Sequence, residues 1–463
     1  GGAAVAQELL DAGRGLRFAH RHLLRRCHAQ ERGAFTAGHH EALAVLERMH
    51  LGQQLQRHAM RCRLPGQHLL AEPGQGLRPL VGALQPLPVR HAGACGNLGR
   101  FLAQVDLLAL VGPLADSPVD MLGSWSAAGV AAQAVTLRQG LERALGKDGR
   151  IIHARGANVT DDAGMIKYLN FLNWDRPEVV QDPRPPQAMI DEAVRAAREA
   201  DVIVAALGEA RGMSHESSSR TSLTLPASQQ ALLEALVATG KPLVVVLMNG
   251  RPLQLGWVRE HADALLETWF TGTEGGNAIA DVLFGAHNPS GKLPISFPRS
   301  VGQIPTYYNH PRLGRPYVEG RPGNYTSQYF EEPNGALYPF GYGLSYTEFE
   351  LSKPQLSKRE LKRGQRLEVS VTVKNSGARA GANVVKLYLQ DLVGSSVRPV
   401  KELKRFEKIR LEPGETRVVR FTLGEDDLRF HDARLDYVAE PGEFEVQLGL
   451  DSRAVQSERF ELL

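Results

Sequence analysis

Cysteine is scarce: only Cys27, Cys62 and Cys95 occur among 463 residues. Nothing after Cys95 can be held by a disulfide, and the spacing matches no metal-binding signature. Long apolar runs are missing too. No stretch approaches the roughly 18 consecutive apolar residues of a membrane-crossing helix, so no membrane partner is expected. The opening GGAAVAQELLDAGRG has neither a basic flank nor an apolar core, and it does not read as an export signal. A large charge excess is also absent. The 54 basic and 51 acidic residues leave a net charge of +3, which gives no support to a nucleic-acid partner.

What is present is unevenly spread. Residues 1–107 hold 13 Arg, no Lys and seven acids. Nine of the 15 histidines are here, yet none forms a His-x-x-x-His pair. The stretch EALAVLERMHLGQQLQRHAMRC has helical character, but Pro and Gly recur too often afterwards for long elements. The region is expected to be irregular. A histidine-rich metal tract, a loose linker and a stretch translated from a wrong reading frame all remain open. No metal or cofactor site is assigned.

Residues 108–300 have a clear rhythm. Apolar strand candidates occur at 108–112, 150–156, 201–208, 242–250 and 264–270. Helical patterns lie between them, as in PQAMIDEAVRAAREA (186–200) and PASQQALLEALVATG (226–240). Continuous apolar strands alternating with helices predict a mostly parallel sheet with helices on both faces, an α/β sandwich. Ligands of such sheets bind beyond the carboxyl ends of the strands. TGTEGGNAIADVLFG lacks the lysine of a phosphate loop, so Gly272, Gly275 and Gly276 are expected to turn the chain from strand into helix. Glu274 is expected to cap that helix, with ligand binding as the alternative.

Residues 301–349 are rich in Tyr, Pro, Gly and Asn and are expected to form aromatic loops packed on their neighbours, with sugar stacking as the alternative. Residues 350–463 alternate with a period of two. RLEVSVTVKNSG points Leu367, Val369, Val371 and Val373 one way, and LEPGET and AEPGEF are turns. About seven short strands in this length predict an all-β, immunoglobulin-like sandwich.

One loop stands out chemically. SHESSSR (214–220) puts a single carboxylate, Glu216, among small residues just beyond the strand candidate at 201–208. It reads either as a solvated loop or as a catalytic acid that needs a second carboxylate. His215 is adjacent in sequence, which does not by itself make a base–orienter pair. There is no Gly-x-Ser-x-Gly elbow, so a serine hydrolase has little support.

GSWSAAG, SSSRTSLTLP, ETWFTGTEGGNAIADVLFGAHNPSGKLPISFP, YPFGYGLSY and RPVKELKRFEKI together closely resemble the family 3 glycoside hydrolases, and in particular its bacterial periplasmic β-glucosidases. The resemblance runs from about Leu108 to Leu463. It implies an N-terminal (β/α)8-type barrel, then an α/β sandwich, then a fibronectin-III-like domain. It implies a retaining hydrolysis of β-glucosides or short oligosaccharides. In that reaction a barrel aspartate attacks the anomeric carbon and a glutamate from the α/β sandwich protonates the leaving oxygen. By motif position that glutamate is Glu216. Arg220 matches the arginine beside it, and Arg220, His215 and Trp269 are candidate substrate-binding residues. A periplasmic location also follows only from the resemblance.

The sequence departs from the family at its start. A barrel needs about 250 residues. Residues 1–107 do not read as βα units and contain no Ser-Asp dipeptide, so no nucleophile is matched. The expectation is an enzyme by family, with a barrel that would have to act in trans and negligible activity for the chain alone. The alternative is a noncatalytic module binding carbohydrate or protein. The domain plan is therefore 1–107 irregular, 108–300 α/β sandwich, 301–349 aromatic loops and 350–463 fibronectin-III-like.

Overall fold

The computed structural model describes residues 102, 105–147, 149–171, 178–317 and 323–463. They all belong to one compact unit, Gln85–Leu463. The irregular region expected over 1–107, with its histidines and cysteines, lies outside the described residues except for Leu102 and residues 105–107.

The first part of the unit is built on five parallel strands. They are β1 (Leu107–Val111), β2 (Arg150–Ala154), β3 (Val202–Gly208), β4 (Leu243–Met248) and β5 (Ala264–Glu267). Their spatial order is β2-β1-β3-β4-β5. Among the described residues, these helices accompany them: α1 (Pro118–Leu122), α2 (Leu137–Leu145), α3 (Ala163–Phe171), α4 (Pro186–Glu199), α5 (Ala227–Val237), α6 (Gly256–His261) and α7 (Gly275–Leu283). Strands β3 and β4 are buried along their whole length, which is why they read as unbroken apolar runs.

Alternate residues of each strand feed two separate cores. Leu110, Val204 and Val246 face α2 and α7 through Leu137, Leu141 and Ile279. Ala109, Ala205 and Val245 face α4 and α5 through Ala193, Leu232 and Leu236. Helices therefore cover both faces of the sheet, as the alternating pattern predicts. The helix ends follow local rules. Pro186 opens α4, where a missing N–H costs nothing. Thr136 caps α2 by accepting from Gln139 N–H, and the Gln139 side chain accepts from Thr136 N–H in return.

The glycines of the 272–276 run divide their work. Gly272 has φ +78° and turns the chain, as expected. Gly276 serves another purpose. A Cβ there would collide with the Thr136 carbonyl oxygen, and one on Gly140 would collide with the Gly276 carbonyl. The pair lets α2 and α7 pack backbone to backbone. Glu274 occupies the N-cap position of α7, but its side chain makes no capping bond; it accepts from the Asn277 amide instead.

The second part is a sandwich of two sheets. One has the strand order 402–411, 381–391, 442–449, 455–462 and 360–361; the other runs 416–424, 366–375 and 349–351. Leu367, Val369, Val371 and Val373 do point inward, against Val385, Leu387, Phe444 and others. The linking aromatics pack in part. Tyr308 stacks on Phe340 at 4.5 Å, and Tyr346 Oη donates to Val282 O at 2.6 Å. Tyr325 and Phe330 instead project into solvent. Lysines donate to backbone carbonyls here: within the sandwich the buried Lys386 Nζ donates to Leu450 O at 2.6 Å and the half-buried Lys401 Nζ to Ser452 O at 2.7 Å, while Lys292 Nζ, at the end of the α/β part, donates to Gly343 O of the linking segment.

Candidate active site

Parallel strands bring their carboxyl ends to one edge, and the segments that follow them meet there. The loop after β3 starts at Glu209, forms a 3-10 turn over Arg211–Ser214 and reaches Glu216. It then closes on itself. Ser218 N–H donates to His215 O at 3.1 Å, and Ser218 Oγ donates to Gly212 O at 2.9 Å. Ser217 takes a left-handed φ of 63° directly after Glu216. Small side chains allow this compact ring, which explains the serine-rich composition.

Neighbouring elements brace the ring from outside. From the β1 side, Asp120 on α1 accepts the Arg211 N–H at 2.8 Å, and Ser124 Oγ donates to Arg211 O. Beyond α3, Glu178 accepts the Gly212 N–H at 3.0 Å and pairs with the Arg211 guanidinium at 2.8 Å. Tyr168 on α3 donates its hydroxyl to Ser217 O at 2.9 Å. Beneath lies Glu209, 0% exposed, which accepts from Arg220 at 2.7 Å and pairs with Arg251 at 3.2 Å. A carboxylate so deeply buried is tolerable only with such partners; removing one partner of a buried pair typically costs about 3–5 kcal/mol.

Glu216 itself is exposed at the crest of this ring. Its carboxyl has no hydrogen-bond or ion-pair partner among the described residues. The other candidate residues are less free. Arg220 is occupied by Glu209 and by Thr224 O at 3.0 Å. His215 turns its Nδ1 toward Glu216 O. Trp269 follows β5 with φ 55° and packs on Phe297 at 5.8 Å between ring centroids. Asp120, Glu178 and Glu209 are each committed to holding the loop, so none of them is placed to serve as a free nucleophile.

Two acids at this edge have their ionisation raised. Burial pushes the Asp120 carboxyl up to about 6, against hydrogen bonds from Ser117 and from Arg211 N–H. Burial pushes Glu267, at the end of β5, up to about 8, and the negative charge of Glu209 adds to the rise. Among the described residues, no three His, Cys, Asp or Glu side chains group as a metal site, and no helix is long and apolar enough to cross a membrane.

The braces were the residues sequence reasoning missed. Arg251, Asp120 and Glu178 carry no motif of their own. Position gives one signal: Asn249-Gly250-Arg251 directly follows the apolar run of β4, as Glu209 follows β3.

Comparison with known proteins agrees with this layout. Residues 102–346 match the glycosyl hydrolase family 3 C-terminal domain, and residues 383–452 match a fibronectin type III-like domain. The periplasmic beta-glucosidase of Salmonella typhimurium is 55% identical over 385 residues, covering 83% of this chain and 48% of that protein. A beta-xylosidase of Formosa agariphila is 35% identical over 359 residues, covering 76% and 45%. The crystal structure of a beta-glucosidase from Listeria innocua in complex with glucose superposes with a TM-score of 0.68 at 40% identity, covering 78% of this chain and 46% of that one. The chain thus spans about half the length of the relatives it matches.

Proposed function

Because the chain belongs to glycosyl hydrolase family 3, we propose that it supplies the acid/base half of a retaining β-glucosidase site, with Glu216 as the acid/base. One observation carries the reading: an exposed carboxyl on a closed, multiply braced loop at the carboxyl edge of a parallel sheet. In the first step Glu216 gives its proton to the departing glycosidic oxygen. In the second it takes a proton from the water that releases the sugar. A retaining pair needs its two carboxyls about 5–5.5 Å apart. The nucleophile is assigned to a barrel that docks over Glu216, in the same protein or in trans.

β-Glucosides or short oligosaccharides are the substrates proposed. The 55% identity to a beta-glucosidase, against 35% to a beta-xylosidase, favours a glucosyl over a xylosyl unit. The same relative supports a periplasmic location. A second reading is a noncatalytic carbohydrate- or protein-binding module. Its support is the exposed Trp125, 74% accessible, next to the Ser124 that bonds the loop. An exposed indole offers a flat apolar face to a sugar or a partner protein.

The test is hydrolysis of a chromogenic aryl β-glucoside by the 463-residue chain and by Glu216→Gln, each with and without a separately produced barrel half of the Salmonella relative. Negligible turnover by the chain alone is expected, with turnover on mixing that is lost in Glu216→Gln. Turnover that survives Glu216→Gln refutes the assignment of the acid. Sugar binding without turnover in the mixture favours the noncatalytic module.

A further inference from the structure

The end of β4 grips the acid loop at two points. Arg251 Nη2 donates to Met213 O and, at 2.7 Å, to Ser218 O. These carbonyls stand three residues before Glu216 and two after it. The Nε of the same guanidinium faces the Glu209 carboxylate, which Arg220 also holds. Gly250 makes room for the grip, because a Cβ there would collide with Ser214 Oγ. Every group in this arrangement comes from the loops after β3 and β4.

We propose that Arg251 is a positioning residue that fixes the Glu216 loop in its working shape before substrate or the remainder of the site arrives. This deepens the acid/base reading and rests on it. The loop is made of small polar residues that would otherwise sample many conformers. A clasp formed as the domain folds moves that ordering cost out of the binding step, so the acid is presented already oriented. Arginine suits the task because its planar fork reaches two carbonyls and a carboxylate together. Lysine offers one compact charge and cannot span them.

The experiment is amide hydrogen exchange on the full chain for the wild type, Arg251→Ala, Arg251→Lys and Glu216→Gln. Arg251→Ala should speed exchange over 211–219 by about ten-fold or more while residues 202–208 and 243–248 stay unchanged. Millimolar ethylguanidinium should restore slow exchange. Arg251→Lys keeps a charge beside Glu209 but loses the fork, so it should loosen the loop as well. Unchanged loop exchange in both Arg251 variants overturns the proposal. So does acceleration that spreads into β3 and β4, or a loosened loop that ethylguanidinium does not restore. Glu216→Gln should exchange like the wild type. Loss of the acid/base reading would appear separately, as hydrolysis indifferent to Glu216→Gln with the Arg251 effects intact.

Discussion

Glu267 offers a sharp test of the electrostatics beneath the site. It ends β5, opposite Leu247 of β4, and its Oε1 accepts the Trp269 N–H at 3.0 Å. Its Oε2 is buried and has no partner. The residue as a whole is partly exposed, but the unpartnered oxygen is not. Burial and the nearby Glu209 charge raise its carboxyl from 4.5 to about 8. The sign follows from proton counting. Between pH 4.5 and about 8 the folded chain keeps a proton that the unfolded chain has released. Stability from this group is complete below 4.5 and declines as pH rises toward 8, by up to about 1.4 kcal/mol per pH unit. Glu267→Gln imitates the neutral acid and removes the decline. The variant should match the wild type near pH 4.5 and exceed it by a few kcal/mol at pH 8 to 9. Urea unfolding of both proteins from pH 4.5 to 9 measures the difference directly. A difference that stays constant across that range would falsify the account, since it would mean that Glu267 ionises alike in both states.

Two further expectations test the packing and the second half of the fold. Gly276→Ala should destabilise the chain by about 1–3 kcal/mol or more, because the new methyl meets the Thr136 backbone carbonyl and α2 must move away from α7; denaturant midpoints read this. Lys386 has its ammonium lowered from 10.5 to about 8 by burial, with Lys292 adding to the shift. Over that window the unfolded chain holds a proton the folded chain has lost, so stability rises with pH; Lys386→Met should flatten this alkaline rise, and an undiminished rise would exclude Lys386 as its source.

The legible parts of this molecule are those where one residue's environment is repeated along the chain. β3 and β4 are buried on both faces, so each position is apolar and the run can be read directly. The sandwich strands are buried on one face, so Leu367 to Val373 alternate. Glu216 stands out as a candidate for a different reason: a lone acid in a small-residue loop beyond a buried strand is chemically conspicuous, and the family motif surrounds it. The braces leave no such trace. Asp120 and Arg211 are 91 residues apart, and Arg251 and Met213 are 38 apart. Each contact depends on which strand ends become neighbours, and that is decided by the order β2-β1-β3-β4-β5 rather than by spacing. Gly276 shows the same limit. Its sequence context reads as a turn, yet its size is demanded by a backbone carbonyl 140 positions earlier in the chain. A site assembled from strand ends can therefore show its candidate acid in one segment. The residues that give that group its geometry are found only once the sheet order is known, and Arg251 is the one whose replacement most directly separates the presence of the acid from its placement.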